Sequence, residues 1–274
     1  MENREGQPKM SNAFYEILEK IGLKGKESGL EEEKKPKSAK ADPGFPGRMS
    51  RLLDMGNTFE GVTDKEIFHA ILQSDVENLK KTMEQNEEAA FSAAVEMIQK
   101  ARTLYIIGIR SCEPLAELLG FYLNMMFENV RVIKTSSTSE IFEQMLRIGP
   151  EDVVVGISFP RYSMRTLKAL EFANSRNAGV IAVTDNVHSP LNLYSSCNLI
   201  AASQMASVVD SLTAPLSLLN ALVVALGVRR QEAMKKSLEE LEQVWQDYQF
   251  YGIDEMEQPS EDIQIWQRGE EKHE

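Results

Sequence analysis

Apolar positions change their period along this chain, and the change divides it into three zones. In the first zone Phe14, Ile17, Leu18 and Ile21 recur at i, i+3, i+4 and i+7, which predicts an amphipathic helix over Asn12–Gly25. Asn12 suits its N-cap and Gly22 its stop. Lys26 to Arg48 follows, rich in charge and proline and poor in apolar residues, and reads as a linker. The second zone is helical. Thr63 and Glu66 have the spacing of a capping box, opening a helix through Ile67, Ile71, Val76, Leu79 and Met83. A second helix is expected from about Glu87 to Lys100.

From residue 103 onward the pattern alternates. Short apolar runs, Thr103–Ile109, Val130–Lys134, Val153–Ile157, Val180–Thr184 and Leu199–Ala201, read as strands. Helix-length stretches separate them: Glu113–Phe127, Ser139–Leu146, Ser163–Arg176 and a turn after His188. Strands joined by helical crossovers build a parallel sheet covered on both faces. The expected fold is α/β, a parallel five-stranded sheet flanked by helices, with an N-terminal helical segment. Two long helices, Val208–Leu226 and Arg229–Tyr248, are expected to close it, ahead of an acidic tail over 251–274.

Composition narrows the class. The 274 residues hold 42% apolar residues, ordinary for a globular protein. The two cysteines, Cys112 and Cys197, lack metal-ligand spacing, so neither a metal site nor a disulfide framework is expected. No apolar run approaches the ~20 residues of a membrane span, and Met1–Lys9 is too polar for a secretory signal; the expectation is a soluble cytoplasmic protein. The net charge of −12 opposes non-specific attraction to nucleic acid. Residues 1–60 hold equal numbers of acidic and basic residues, so that charge belongs to the remainder.

Candidate chemistry lies at the strand ends, where an open parallel sheet binds its ligands. After the first strand comes Gly108-Ile-Arg110-Ser111-Cys-Glu-Pro114. After the second come five hydroxyls, Thr135 to Ser139. After the third comes Ser158-Phe-Pro-Arg161-Tyr162-Ser163-Met-Arg165. Helix N-termini offer unpaired N–H groups and partial positive charge, hydroxyls add neutral donors, and a guanidinium adds a fixed fork. That combination suits a phosphate or a carboxylate. Each serine taken singly also reads as a helix cap. For catalysis the nearest titratable groups are Glu140 and His188, and no matched acid and base stand out; neither catalytic residues nor a cofactor are assigned.

The segment Leu104–Ala201 resembles the sugar-isomerase (SIS) domain, in particular that of MurR/RpiR transcriptional regulators. The residues that carry the likeness are Gly156-Ile-Ser-Phe-Pro-Arg-Tyr-Ser163, Gly179-Val-Ile-Ala-Val-Thr-Asp185 with Ser189-Pro190-Leu191, and Ser207-Val-Val-Asp-Ser211 before the long apolar helix. The resemblance implies a domain that senses a phosphorylated sugar or amino sugar and forms a homodimer or higher homo-oligomer. By position, Ser111, Ser136, Ser158 and Ser163 would hold the ligand, with Ser137 and Ser139 beside them and Arg161 adding charge. Many SIS domains carry Ser-x-Ser-Gly-x-Thr after the third strand; here Pro160, Arg161 and Tyr162 replace its second Ser and Gly. The family also carries an N-terminal helix-turn-helix that binds DNA. Asn12–Gly25 resembles only its last helix, so residues 1–62 are expected to be a truncated or degenerate remnant and linker, which leaves DNA binding an open alternative to its loss, and 63–250 the SIS domain with its leading helices. An SIS-type sugar-phosphate isomerase or a DNA-independent sugar-phosphate-binding protein is the alternative. The apolar helix Val208–Leu226 fits a monomer's core or an oligomer's interface by pattern, and the resemblance favours the interface.

Overall fold

A computed structural model describes residues 61–134, 137–204 and 210–247. The Asn12–Gly25 helix, the linker after it, the acidic tail and Ser136 lie outside the described residues.

The elements run α1 (Asp64–Gln85), α2 (Glu88–Lys100), β1 (Leu104–Gly108), α3 (Glu113–Asn124), β2 (Val130–Val132), α4 (Thr138–Gln144), β3 (Val153–Ile157), α5 (Met164–Ser175), β4 (Gly179–Thr184), β5 (Cys197–Ile200), α6 (Thr213–Arg229) and α7 (Gln231–Asp247), with short 3₁₀ turns at Arg110–Cys112 and Pro190–Leu193. The strands form one five-stranded sheet in the order β2-β1-β3-β4-β5, every pair parallel. Each expected strand is present, with ends shifted by a residue or two. The chain divides into two compact units between Val228 and Arg229. In the second, α7 is amphipathic in sequence and has no buried residue.

The central strands β1 and β3 are buried along their whole length. Their continuous apolar runs follow from that, since helices cover both faces. α3 packs on β1 and β2, α5 on β3 and β4, and α2 on β5. The approach of α5 is close at Gly156, where a Cβ would lie 2.6 Å from Leu170 Cδ2. The strand therefore needs its glycine there. Asp152, at the foot of β3, is fully buried and accepts from both arms of Arg102, at 3.0 and 2.7 Å, and from the Gly149 N–H at 2.8 Å.

α1 corrects the reading of its sequence. The capping box is present, Thr63 N–H donating to Glu66 Oε2 at 3.0 Å. The expected apolar face is not the buried one: Val76 and Met83 are exposed and Ile67, Ile71 and Leu79 only half-buried. What faces inward is Ala70, Ser74, Asn78 and Thr82, a ladder at i, i+4 spacing. The reason is the open edge of β5. Asn86 accepts the Ile200 N–H at 2.9 Å and donates to the Ile200 carbonyl. Thr82 Oγ1 accepts the Ala202 N–H at 2.9 Å. Asn78 accepts from Gln204 N–H at 3.2 Å and donates to its carbonyl at 3.1 Å. Residues 200, 202 and 204 turn their backbone groups outward, and three side chains of α1 and its C-cap satisfy them as a sixth strand would. An edge otherwise open to pairing with another chain is sealed by polar side chains.

Candidate functional site

The order β2-β1-β3-β4-β5 reverses direction between β1 and β3. At that point the connections leave to opposite sides and a crevice opens beyond the carboxyl ends. The turns after these two strands, with a segment ahead of α6, enclose a cavity of about 170 Å³. Its wall includes Arg110, Ser111, Ser158, Arg161, Ser163 and Asp210.

The β1 side is built around Gly108. A Cβ there would run into the Cys112 carbonyl, so glycine alone lets the chain turn back so tightly. Arg110 then adopts φ 62° and leads the 3₁₀ turn into α3, with Pro114 in its first turn. Ser111 is exposed at the mouth. Cys112, also in the wall, is buried, and burial pushes its thiol pKa up, so it stays protonated.

The β3 side is tighter. Ser158 is buried, and its Oγ accepts the Ser163 N–H at 2.9 Å. That bond uses an acceptor lone pair and leaves the Ser158 hydroxyl proton to donate elsewhere. Arg161, at φ 64°, stands between the two serines. Ser163 is the N-cap of α5, its Oγ accepting the Thr166 N–H at a long 3.4 Å. The turn is tied from outside by Tyr162, which donates to Asp185 Oδ1 at 2.7 Å and accepts from Asn186 Nδ2 at 3.2 Å. Burial and the adjacent Asp185 push the Tyr162 pKa up to about 12, so it remains a neutral donor and clamps the loop after β3 to the loop after β4.

Two helix N-termini, two arginines, three serines and Asp210 thus border one cavity. Such an arrangement is suited to an anion, and a tetrahedral one would use the divergent donors best. Of the residues expected from sequence, Ser111, Ser158, Arg161 and Ser163 come together. Ser137 and Ser139 do not line the cavity: Ser137 caps α4, accepting the Glu140 N–H at 3.4 Å, and the two hydroxyls lie 3.1 Å apart. Glu140, in the first turn of α4, and the exposed His188, beyond β4, are also outside its wall. Arg110 and Asp210 were missed. Arg110 shares the turn with Ser111 and could have been found; Asp210 arrives from the far end of the chain, and no spacing announces it.

Residues 97–225 match the model of the SIS domain family. The chain therefore carries an SIS domain, and the likeness to RpiR-type regulators read from its sequence is borne out by its relatives. The sugar-isomerase domain of an RpiR transcription factor from Sphaerobacter thermophilus is 27% identical, with a TM-score of 0.60 over 63% of this chain and 96% of that one. The Vibrio vulnificus NanR protein, solved with ManNAc-6P, is 20% identical, with a TM-score of 0.58 over 72% of this chain and 74% of that one, and shares the fold. An uncharacterised helix-turn-helix-type transcriptional regulator of Haemophilus influenzae is 24% identical over 138 residues, which span half of this chain and 47% of that protein. Among the described residues no helix is long and apolar enough to cross a membrane.

Proposed function

We propose that the chain is a sugar-phosphate-sensing regulator of the MurR/RpiR type, acting in the cytoplasm, whose SIS domain binds a phosphorylated sugar and thereby sets its dimer state. The observation that carries this reading is the cavity at the β1–β3 switch point, where Ser111, Ser158, Arg161 and Ser163 meet at two helix N-termini. At about 170 Å³ it is smaller than the roughly 300–1,000 Å³ that engulf a drug-sized ligand. It suits a phosphoryl group and the adjoining carbons, the rest of the sugar reaching toward solvent. NanR, with its ManNAc-6P, supports an amino-sugar phosphate as one ligand class to test.

Apolar surface supports the dimer. Phe68, Leu72, Val76 and Met83 on α1 and Val224 and Val228 on α6 are exposed apolar side chains that a second copy could cover. Ligand would shift the balance between two dimer arrangements only as far as it binds one better than the other.

The test is a thermal-shift screen of hexose, amino-sugar and pentose phosphates against the same sugars without phosphate. A ligand at 100 times its Kd stabilises by about 2.7 kcal/mol, which for a domain of this size is about 5–10 °C in Tm. Equal shifts with and without phosphate, or none at all, reject the sensor. A monomer by light scattering at micromolar concentration rejects the dimer.

A further inference from the structure

The anion cavity contains a carboxylate. Among its described lining residues Asp210 is the single acidic one, with Oδ2 3.5 Å from Ser111 Oγ, at the outer limit of a hydrogen bond. For a site that holds only inorganic phosphate this is the wrong group. A carboxylate beside a dianion repels it, most strongly where water is excluded.

The two sides of the cavity are unlike. On the β3 side Ser158, Arg161 and Ser163 offer donors at the N-terminus of α5. On the β1 side the Ser111 hydroxyl stands beside the Asp210 acceptor. The backbone that carries Asp210 is anchored behind the cavity. Ser211 Oγ donates to Asp75 Oδ1 at 2.6 Å and Thr213 Oγ1 to Asp75 Oδ2 at 2.9 Å, both on α1. That bridge ties the chain that follows Asp210 to α1. A ligand matches both sides only if it is anionic at one end and presents a hydroxyl or an amine at the other. A carboxylate accepts from such a donor in addition to its partners within the protein, and it loses water with nothing in exchange when the ligand lacks one.

We propose that Asp210 is a specificity-determining residue of this site: it accepts a hydrogen bond from a hydroxyl or amino group on the sugar's carbon chain and turns away phosphate without a polyol. The proposal rests on the sugar-phosphate reading above. It names the feature of the ligand that is read, and places discrimination in repulsion as much as in attraction.

The test measures two affinities on the full chain, for inorganic phosphate and for the panel of hexose, amino-sugar and pentose phosphates, in wild type, Asp210→Asn and Asp210→Ser. The isosteric amide loses the charge and keeps the shape; the serine guards against a fault peculiar to the amide. Both variants should bind inorganic phosphate several-fold more tightly. They should bind the preferred sugar phosphate more weakly, so that the ratio of the two affinities falls by about tenfold or more. If wild type binds a sugar phosphate and both variants keep its ratio to phosphate within twofold, the role of Asp210 is overturned while the sugar-phosphate reading stands. If wild type binds neither the panel nor phosphate, and the variants do not either, the sugar-phosphate reading itself is lost, and the role of Asp210 with it.

Discussion

Ser163 is the residue on which ligand affinity and helix stability can be separated. Its hydroxyl caps α5 through the Thr166 N–H at 3.4 Å, and on the proposed function it would also donate to the phosphoryl group. Its backbone N–H donates to Ser158 at 2.9 Å, which any substitution except proline preserves. Replacing an N-cap serine by glycine costs only a few tenths of a kcal/mol, and by alanine about 1. Because this capping bond is long, the alanine figure belongs in the lower half of its range. Apo Ser163→Gly should therefore melt within about 1 °C of wild type and Ser163→Ala about 1–3 °C below it, at about 2–4 °C per kcal/mol. Binding should respond quite differently. A hydrogen bond to a charged group is worth about 1.5–3 kcal/mol, and about 1.4 kcal/mol is tenfold in Kd. Both variants should bind the preferred sugar phosphate about 10- to 150-fold more weakly, by isothermal titration calorimetry. The glycine variant decides the matter, since its fold is nearly unperturbed. If Ser163→Gly binds within twofold of wild type, the α5 N-terminus is not where the phosphoryl group sits.

Three further outcomes follow from the packing. Ser158→Ala leaves the Ser163 N–H without its buried acceptor, so urea denaturation should show a loss of about 1–3 kcal/mol as well as weakened binding; a stability unchanged from wild type would contradict the role of that bond. Asn78→Ala strips the partners from both backbone groups of Gln204 at the sheet edge, and should cost about 1–3 kcal/mol and speed hydrogen exchange at the Gln204 N–H. Unaltered exchange there would mean that the edge does not depend on the amide. Burial pushes the Asp152 carboxyl up, but the Arg102 guanidinium and the Gly149 N–H outweigh it and hold its pKa below the usual carboxylate value. A depressed pKa gives stability that is present above the unfolded value, about 3.9, and lost as pH falls through the folded one. Arg102 is half-exposed, so Arg102→Ala should lower stability at pH 7 by less than breaking a fully buried pair would. The difference from wild type should shrink as pH falls through the depressed folded pKa of Asp152, beyond which the carboxyl is protonated in both, and a gap independent of pH would refute the pairing.

The strands and the crossover helices were legible in the sequence because local rules decide them. Val153–Ile157 is apolar throughout because both faces of β3 are covered, and the Thr63–Glu66 spacing marks the start of α1 because a capping box closes within one turn. The serines at the ends of β1 and β3 could be picked out because a parallel sheet sends every such turn to the same rim. Which of those turns share a cavity was not local. Only the strand order sets β1 beside β3 and brings Ser111 to the same wall as Ser163, while Ser137 caps α4 and Ser139 lies in its first turn, outside that wall. The polar inner face of α1 was unreadable for the same reason. Asn78, Thr82 and Asn86 are buried or half-buried to satisfy backbone groups more than 110 residues away in sequence, so hydrophobic period alone picked the wrong side of the helix. Asp210 reaches the cavity from the chain ahead of α6, 99 residues past Ser111; its segment belongs to the family likeness, but no local spacing says that its carboxylate meets Ser111. A chain writes its periods and its turns into adjacent residues; which distant groups meet is settled by how the sheet is wound.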